Sequence, residues 1–304
     1  MINHKKLKVI FLFISIYLFF HILIILKVKV CLCTIGRREN LYVREFTNYY
    51  QKLGIDKIFL YDNNEKNGEK FDLILKDYID NGFVQIIDFR GKYSPQMESM
   101  EDCRKNNFKN YNWLLFFDLD EYLFLRNYSN IKDFLNQKHF EKCQRIHLNW
   151  YIHTDNNLLL YDNRTLKQRF PNKKAYGKDK NLPLSNYVKS ILKGNIDYKI
   201  TNPHDLNSTL IGCNGFGIIQ NISLITNSPE FYYYYIDHYY SKSTEEFANK
   251  ITKGDVNHGF RNDGINLFKI RAYFSFNELT KEKIDYLENK TKYNLSKYRL
   301  KIKE

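Results

Sequence analysis

The chain has 304 residues, 43% hydrophobic and 16% aromatic, which is enough for one large buried core and too much for a disordered protein. Its formal charge of +13 would suit nucleic acid, an anionic membrane surface or a phosphorylated substrate. There is no Arg-rich arm, zinc-finger spacing or aromatic RNA-binding signature, so nucleic acid is set aside.

In chain order, a short basic tail over residues 1–8 precedes an uncharged, almost wholly apolar run over 9–26, flanked by Lys5, Lys6, Lys8 and by Lys27 and Lys29. As a helix this run would rise about 27 Å, enough to span a bilayer. It exceeds a signal-peptide core and no small-x-small cleavage site follows, so an uncleaved anchor with N-in, C-out topology is expected, lumenal in the Golgi of a eukaryote. Six sequons, beginning at Asn127, Asn163, Asn207, Asn221, Asn289 and Asn294, suit a lumenal domain. Five cysteines with no Cys-x-x-Cys pair leave the redox compartment open.

A strand is expected over 28–35, almost where the lipid would end. So short a linker would hold the domain at the bilayer and turn its active site toward membrane-borne acceptors. A helix over 37–53, a strand over 57–61, a helix over 71–79, a strand over 83–87 and a helix over 95–108 follow. The apolar stretch from Trp113 to Phe124 then reads as a fourth strand carrying Asp118, Asp120 and Glu121. Three β-α units and a further strand make a mostly parallel, Rossmann-like α/β sheet, which binds ligands at its strand ends. Beyond it, strands are expected over 145–152 and 231–236, a long loop over 172–186 and a closing helix over 280–289. One catalytic domain over 28–304 is expected, with a nucleotide-binding half (28–125) and an acceptor and metal-completing half (126–304).

Carboxylates at the end of a buried strand cost several kcal/mol unless paired, hydrogen-bonded or metal-bound, so a divalent cation is the expected partner. A haloacid-dehalogenase-like phosphatase also ends an apolar strand in Asp-x-Asp, but on its first strand and with Thr or Val where Tyr122 stands here. A glycosyltransferase of the GT-A type places the motif after such a nucleotide-binding half, which is the order found here.

The segments Cys33 to Phe46, Leu53 to Asn64, Gln96 with Asp102-Cys103, Trp113 to Leu123 and Asp237 to Phe247 resemble, in the same order, those of glycosyltransferase family 92 and its family-2-like relatives. The resemblance spans about 220 residues, far more than one short motif. It implies a GT-A fold and a manganese- or magnesium-dependent, inverting hexosyltransferase that takes a nucleotide sugar as donor, galactose among the candidates, and a glycan or glycolipid as acceptor. By that resemblance Asp118 and Asp120 would hold the metal and donor ribose, with Glu121 orienting them, and His238 would complete the metal shell. Lys242 would neutralise the leaving diphosphate. Asp62 and Asn63 would either bind the base or ribose or merely cap their strand. An inverting transfer also needs a base, for which Asp155 is the first candidate and Asp263 the second. Trp150 and Tyr151 are candidates for a sugar-stacking platform. The alternative in another class is a catalytically inactive, membrane-tethered carbohydrate-binding protein of the same fold.

Overall fold

The computed structural model describes residues 14–15, 28–176, 183–220, 222, 224–253 and 264–299. The expected anchor therefore lies outside the described residues except for 14 and 15, and Asp263 lies outside them too. Among the described residues no helix is long and apolar enough to cross a membrane.

The first half alternates strand and helix: β1 (Val30–Gly36), α1 (Asn40–Lys52), β2 (Lys57–Asp62), α2 (Phe71–Ile74), α3 (Lys76–Asp80), β3 (Val84–Asp88), α4 (Gln96–Asn107) and β4 (Trp113–Phe116). The second half runs β5 (Glu121–Leu125), α5 (Ile131–Leu135), β6 (Arg145–His153), α6 (Leu166–Arg169), β7 (Lys173–Lys174), β8 (Val188–Lys193), β9 (Gly212–Asn214), β10 (Tyr234–His238), α7 (Thr244–Thr252), α8 (Gly264–Phe276), α9 (Lys281–Thr291) and α10 (Ser296–Arg299). The strands form one mixed sheet in the order β3-β2-β1-β4-β8-β6-β10-β5, with β7 and β9 also paired to β6. The four strands of the first half are parallel. Strand β8 enters antiparallel between β4 and β6.

Alternation along β1 explains why both faces of the sheet are covered. Val30 and Leu32 face a core that includes Val43, Phe46 and Tyr50 of α1, while Cys31, Cys33 and Ile35 face one that includes Met100 and Cys103 of α4. Helix α1 starts later than expected because Arg38 has a left-handed φ of 53° and its N–H is taken by the Asn64 side chain. The apolar stretch expected as one strand is two. Strand β4 lies beside β1, β5 pairs with β10 at the far edge, and Asp118-Leu119-Asp120 is the crossing between them. Leu119 makes the stretch look continuous because it is itself a core residue. It packs so closely on the end of β1 that a side chain at Gly36 would stand 2.3 Å from it.

Disulfides join Cys33 to Cys103 and Cys143 to Cys213, each across 70 residues, and Cys31 is free and buried. A cross-link of this loop length restricts the unfolded chain. Replacing Cys143 and Cys213 together by alanine should lower the unfolding free energy by about 2–4 kcal/mol, read as the shift in a denaturant midpoint. An unchanged midpoint would refute the cross-link.

The chain enters the sheet at the start of β1, level with the start of β4 and the end of β8, while Asp118 lies beyond the opposite end of β4. The end of the sheet at which the chain enters is therefore opposite the end that carries the carboxylates.

Candidate active site

Strand β4 delivers Asp118 just past its end, and the turn that follows is closed from within. The Asp118 N–H donates to Glu121 Oε2 at 2.9 Å, and the Glu121 N–H returns to the Asp118 carbonyl at 3.0 Å. The Asp118 carboxylate accepts from Gln96 Nε2 at 3.2 Å and from Lys189 Nζ of β8 at 2.8 Å. Asp120 Oδ2 accepts from Lys250 Nζ of α7 at 2.8 Å, and its Oδ1 stands 3.6 Å from His238 Nε2 at the end of β10. Glu121 is fully buried, 3.5 Å from Lys189, with Oε1 lacking a hydrogen-bond partner.

The electrostatics follow from these pairs. Burial opposes ionisation of Asp120, yet Lys250 and His238 outweigh it and hold the carboxyl well below the usual range. Burial pushes Glu121 well above that range against the pull of Lys189. Burial also lowers the His238 pKa despite Asp120, and the ring packs tilted against Trp150 with centroids 4.4 Å apart.

A cleft of about 230 Å³ opens over these groups. Ile35, Gly36 and Arg37 line one side and Trp150, Pro203 and His204 another, with Asp118, Asp120, His238, Lys189, Lys250, Lys253 and Glu39 also on its surface. Lys253 pairs with Glu39, which is also 3.1 Å from Lys242. Burial, and the neighbouring ammonium groups of Lys242 and Lys250, lower the Lys253 pKa against the pull of Glu39, so a further anion there would relieve like-charge crowding.

The structure brings Asp118, Asp120 and His238 together, and separates the other expected residues from them. Lys242 lines a neighbouring cavity, 3.5 Å from the ring centre of Tyr42, while Lys250 and Lys253 line the cleft. Asp62 is buried, accepting from the Asn64 N–H and from Arg90 at 2.8 Å. The Asn63 amide donates to the carbonyls of Phe89 and Lys92. Both residues tie down the end of β2, as capping residues do. Asp155 is 1% exposed, 2.7 Å from Lys283 and hydrogen-bonded to Tyr273, so the first candidate base is a buried ion-pair partner away from the cleft. Tyr151 points away from Trp150, as neighbours on a strand must, and packs on Phe231 and Tyr235.

Sequence reasoning missed Lys189, His204, Glu39, Lys250 and Lys253. Only the last two left a signal, two lysines three apart at the end of a capped helical segment and so on one helix face. His204 comes from an irregular segment and stands 5.2 Å from Trp150, with burial drawing its pKa down to about 4.

The sequence profile of glycosyltransferase family 92 matches residues 27–258. The chain belongs to that family. It is 25% identical over 105 residues to a family 92 protein of Ricinus communis and 26% identical over 111 residues to one of Oryza sativa subsp. japonica. These matches cover 34% and 35% of this chain, and 19% and 18% of the plant proteins, so the chain spans about a fifth of the relatives it matches. Among solved structures it is similar to S. aureus TarS 1–349, alone and with UDP-GlcNAc, at 13% identity and TM-scores of 0.36 and 0.38. Those superpositions cover 90% of this chain and 75% and 76% of TarS 1–349.

For a family 92 chain, Asp118, Asp120 and His238 are of the right chemical type for manganese or magnesium. Their arrangement does not fit a metal shell. Lys189 and Lys250 each occupy a carboxylate oxygen at 2.8 Å, and no three candidate ligands converge among the described residues.

Proposed function

We propose that this family 92 chain is a glycosyltransferase whose cleft binds the diphosphate of a nucleotide-sugar donor. The observation that carries the reading is the set of ammonium groups, Lys189 buried and Lys250 and Lys253 partly buried, gathered beyond the ends of β1 and β4, where an open α/β sheet binds ligands. In the transfer, the bond from the sugar anomeric carbon to the diphosphate oxygen breaks while an acceptor hydroxyl attacks that carbon from the opposite face, which inverts it, and gives up its proton to a general base. Charge collects on the departing phosphate, and Lys250 and Lys253 are fixed cations on which it can settle. Trp150, the aromatic across the cleft from Gly36, supplies an apolar surface for a sugar ring.

Galactose is the first donor sugar to test, and a glycan or glycolipid the acceptor class. A divalent ion on Asp118 and Asp120 would have to displace Lys189 and Lys250 from them. Residues 9–26 anchor the chain in a membrane, and two disulfides suit a catalytic domain on the oxidising side of it.

The test is thermal stabilisation of the full chain by a panel of nucleotide sugars, with and without a chelator. A donor at 100 times its dissociation constant adds about 2.7 kcal/mol to stability, a shift of several degrees. Stabilisation that survives chelation supports the ammonium cradle, and stabilisation that requires manganese overturns it. Stabilisation by a donor that the enzyme neither hydrolyses nor transfers would favour the inactive carbohydrate-binding reading. A panel with no stabilising member sinks the donor assignment.

A further inference from the structure

The end of the sheet away from the cleft carries its own surface. Val30 is level with Trp113, Trp113 with Lys193, and Arg145 with both Leu192 and Gly212. The loops before β4, β6 and β9, and the one after β8, therefore share one base. Residues 28 and 29 enter there, and the Lys29 N–H donates to Asn112 Oδ1 at 2.7 Å. Only Lys27 separates this entry from the apolar run at 9–26.

Three isoleucines are left bare at or next to that base. Ile211, 45% exposed, hydrogen-bonds through its backbone to Gln144 beside the start of β6. Ile218 and Ile219, 59% and 58% exposed, lie on the segment that folds back along β9, where Ile219 bridges Cys213. Exposed lysines stand in the same loops at positions 29, 109 and 142. The carboxylates nearby are Glu141, Asp56 and Asp197, of which the last two are paired with Lys132 and Arg104. The isoleucines flank β9 beside β6, and the lysines lie before β6, β4 and β1 along the same base; apolar side chains next to a row of cations match the boundary of an anionic bilayer, where each lysine near the surface adds to the attraction.

We propose that the base of the sheet docks on an anionic membrane surface, with Ile211, Ile218 and Ile219 against the acyl boundary and Lys29, Lys109 and Lys142 among the headgroups. The proposal rests on the membrane anchor of the proposed function and adds a second, specific contact to it. The anchor alone would let the domain tumble. The base fixes its orientation.

The test uses the full chain in lipid nanodiscs, either phosphatidylserine with phosphatidylcholine or phosphatidylcholine alone. Because Cys31 is buried and the other four cysteines are bonded, a fluorophore can be placed on a single new thiol at Ile218→Cys. Leu73→Cys, 75% exposed in α2 at the cleft end, is the control. A nitroxide on the lipid headgroup should quench the label at 218 and leave the label at 73 bright. Lys109→Glu with Lys142→Glu should abolish that quenching, with circular dichroism unchanged. Equal signals at 218 and 73 in an incorporated chain overturn the docking and leave the anchor standing. Failure to incorporate overturns the anchor, and the docking with it. Quenching at 218 that is the same in both lipids, or that needs two copies per disc, assigns the patch to residues 1–27 or to a second chain and overturns the proposal.

Discussion

Lys250→Met is expected to lower sugar transfer by about 100- to 1,000-fold, the loss seen when one preorganised group is removed from a site of developing negative charge. Its ammonium is partly buried and sits 2.8 Å from Asp120 and 3.1 Å from the Tyr240 carbonyl, so it reaches the cleft already oriented. Asp120 and the other groups around it raise its pKa despite burial, which keeps it charged throughout the neutral range. The same variant should bind nucleoside diphosphate at least about tenfold more weakly, since a hydrogen bond to a charged group contributes about 1.5–3 kcal/mol. Asp120→Asn provides the contrast. If Lys250 binds phosphate directly, removing its competing carboxylate leaves diphosphate affinity equal or higher. If Asp120 holds a metal that bridges to the phosphates, affinity falls. Calorimetry with UDP and an initial-rate assay with the most stabilising donor provide both readings. Full turnover in Lys250→Met would remove the ammonium from the mechanism.

The second large effect is on stability. Lys283→Met should destabilise the fold by about 3–5 kcal/mol, because it leaves the Asp155 carboxylate buried without its counter-charge. Lys283 is 2.7 Å from Asp155 and also donates to Asn157 and to the Glu278 carbonyl, so it clamps α9 to the turn after β6. Asp155→Asn combined with Lys283→Met should recover part of that loss, since an unpaired charge costs more than an absent pair. A urea midpoint gives the energies. The same variants address the base, because Asp155→Asn assayed below its melting temperature should retain transfer. If transfer is lost while the fold is intact, Asp155 has a chemical role that its burial does not suggest.

The first half of the fold was legible in the sequence because its signals are local. Gly54 and Asn81-Gly82 stop helices, and strands rich in Ile, Phe and Val lie between them. The Asp118 and Asp120 pair was legible for the same reason, standing at the end of an apolar run. What failed was long-range. Strand β8 carries a lysine toward the carboxylates only because it inserts antiparallel between β4 and β6, and nothing near position 189 announces that pairing. The exposed look of Asp155, a carboxylate in a turn, concealed a partner 128 residues later. Trp150 and Tyr151 were taken together although one strand cannot turn both to one side. The cysteines looked uninformative because each of the two pairs spans 70 residues, a spacing that no motif encodes.

The polarity of β1 sets a height. The strand is seven residues long, about 23 Å at roughly 3.3 Å per residue, with the chain entering at one end and the cleft opening at the other. If residues 9–26 anchor the domain with β1 upright, the cleft would stand about that distance above the headgroups. A single sugar attached directly to a lipid would lie below the reach of the cleft. Acceptors that would fit that elevation are the outer ends of longer glycans and sugars borne on the upper parts of neighbouring glycoproteins.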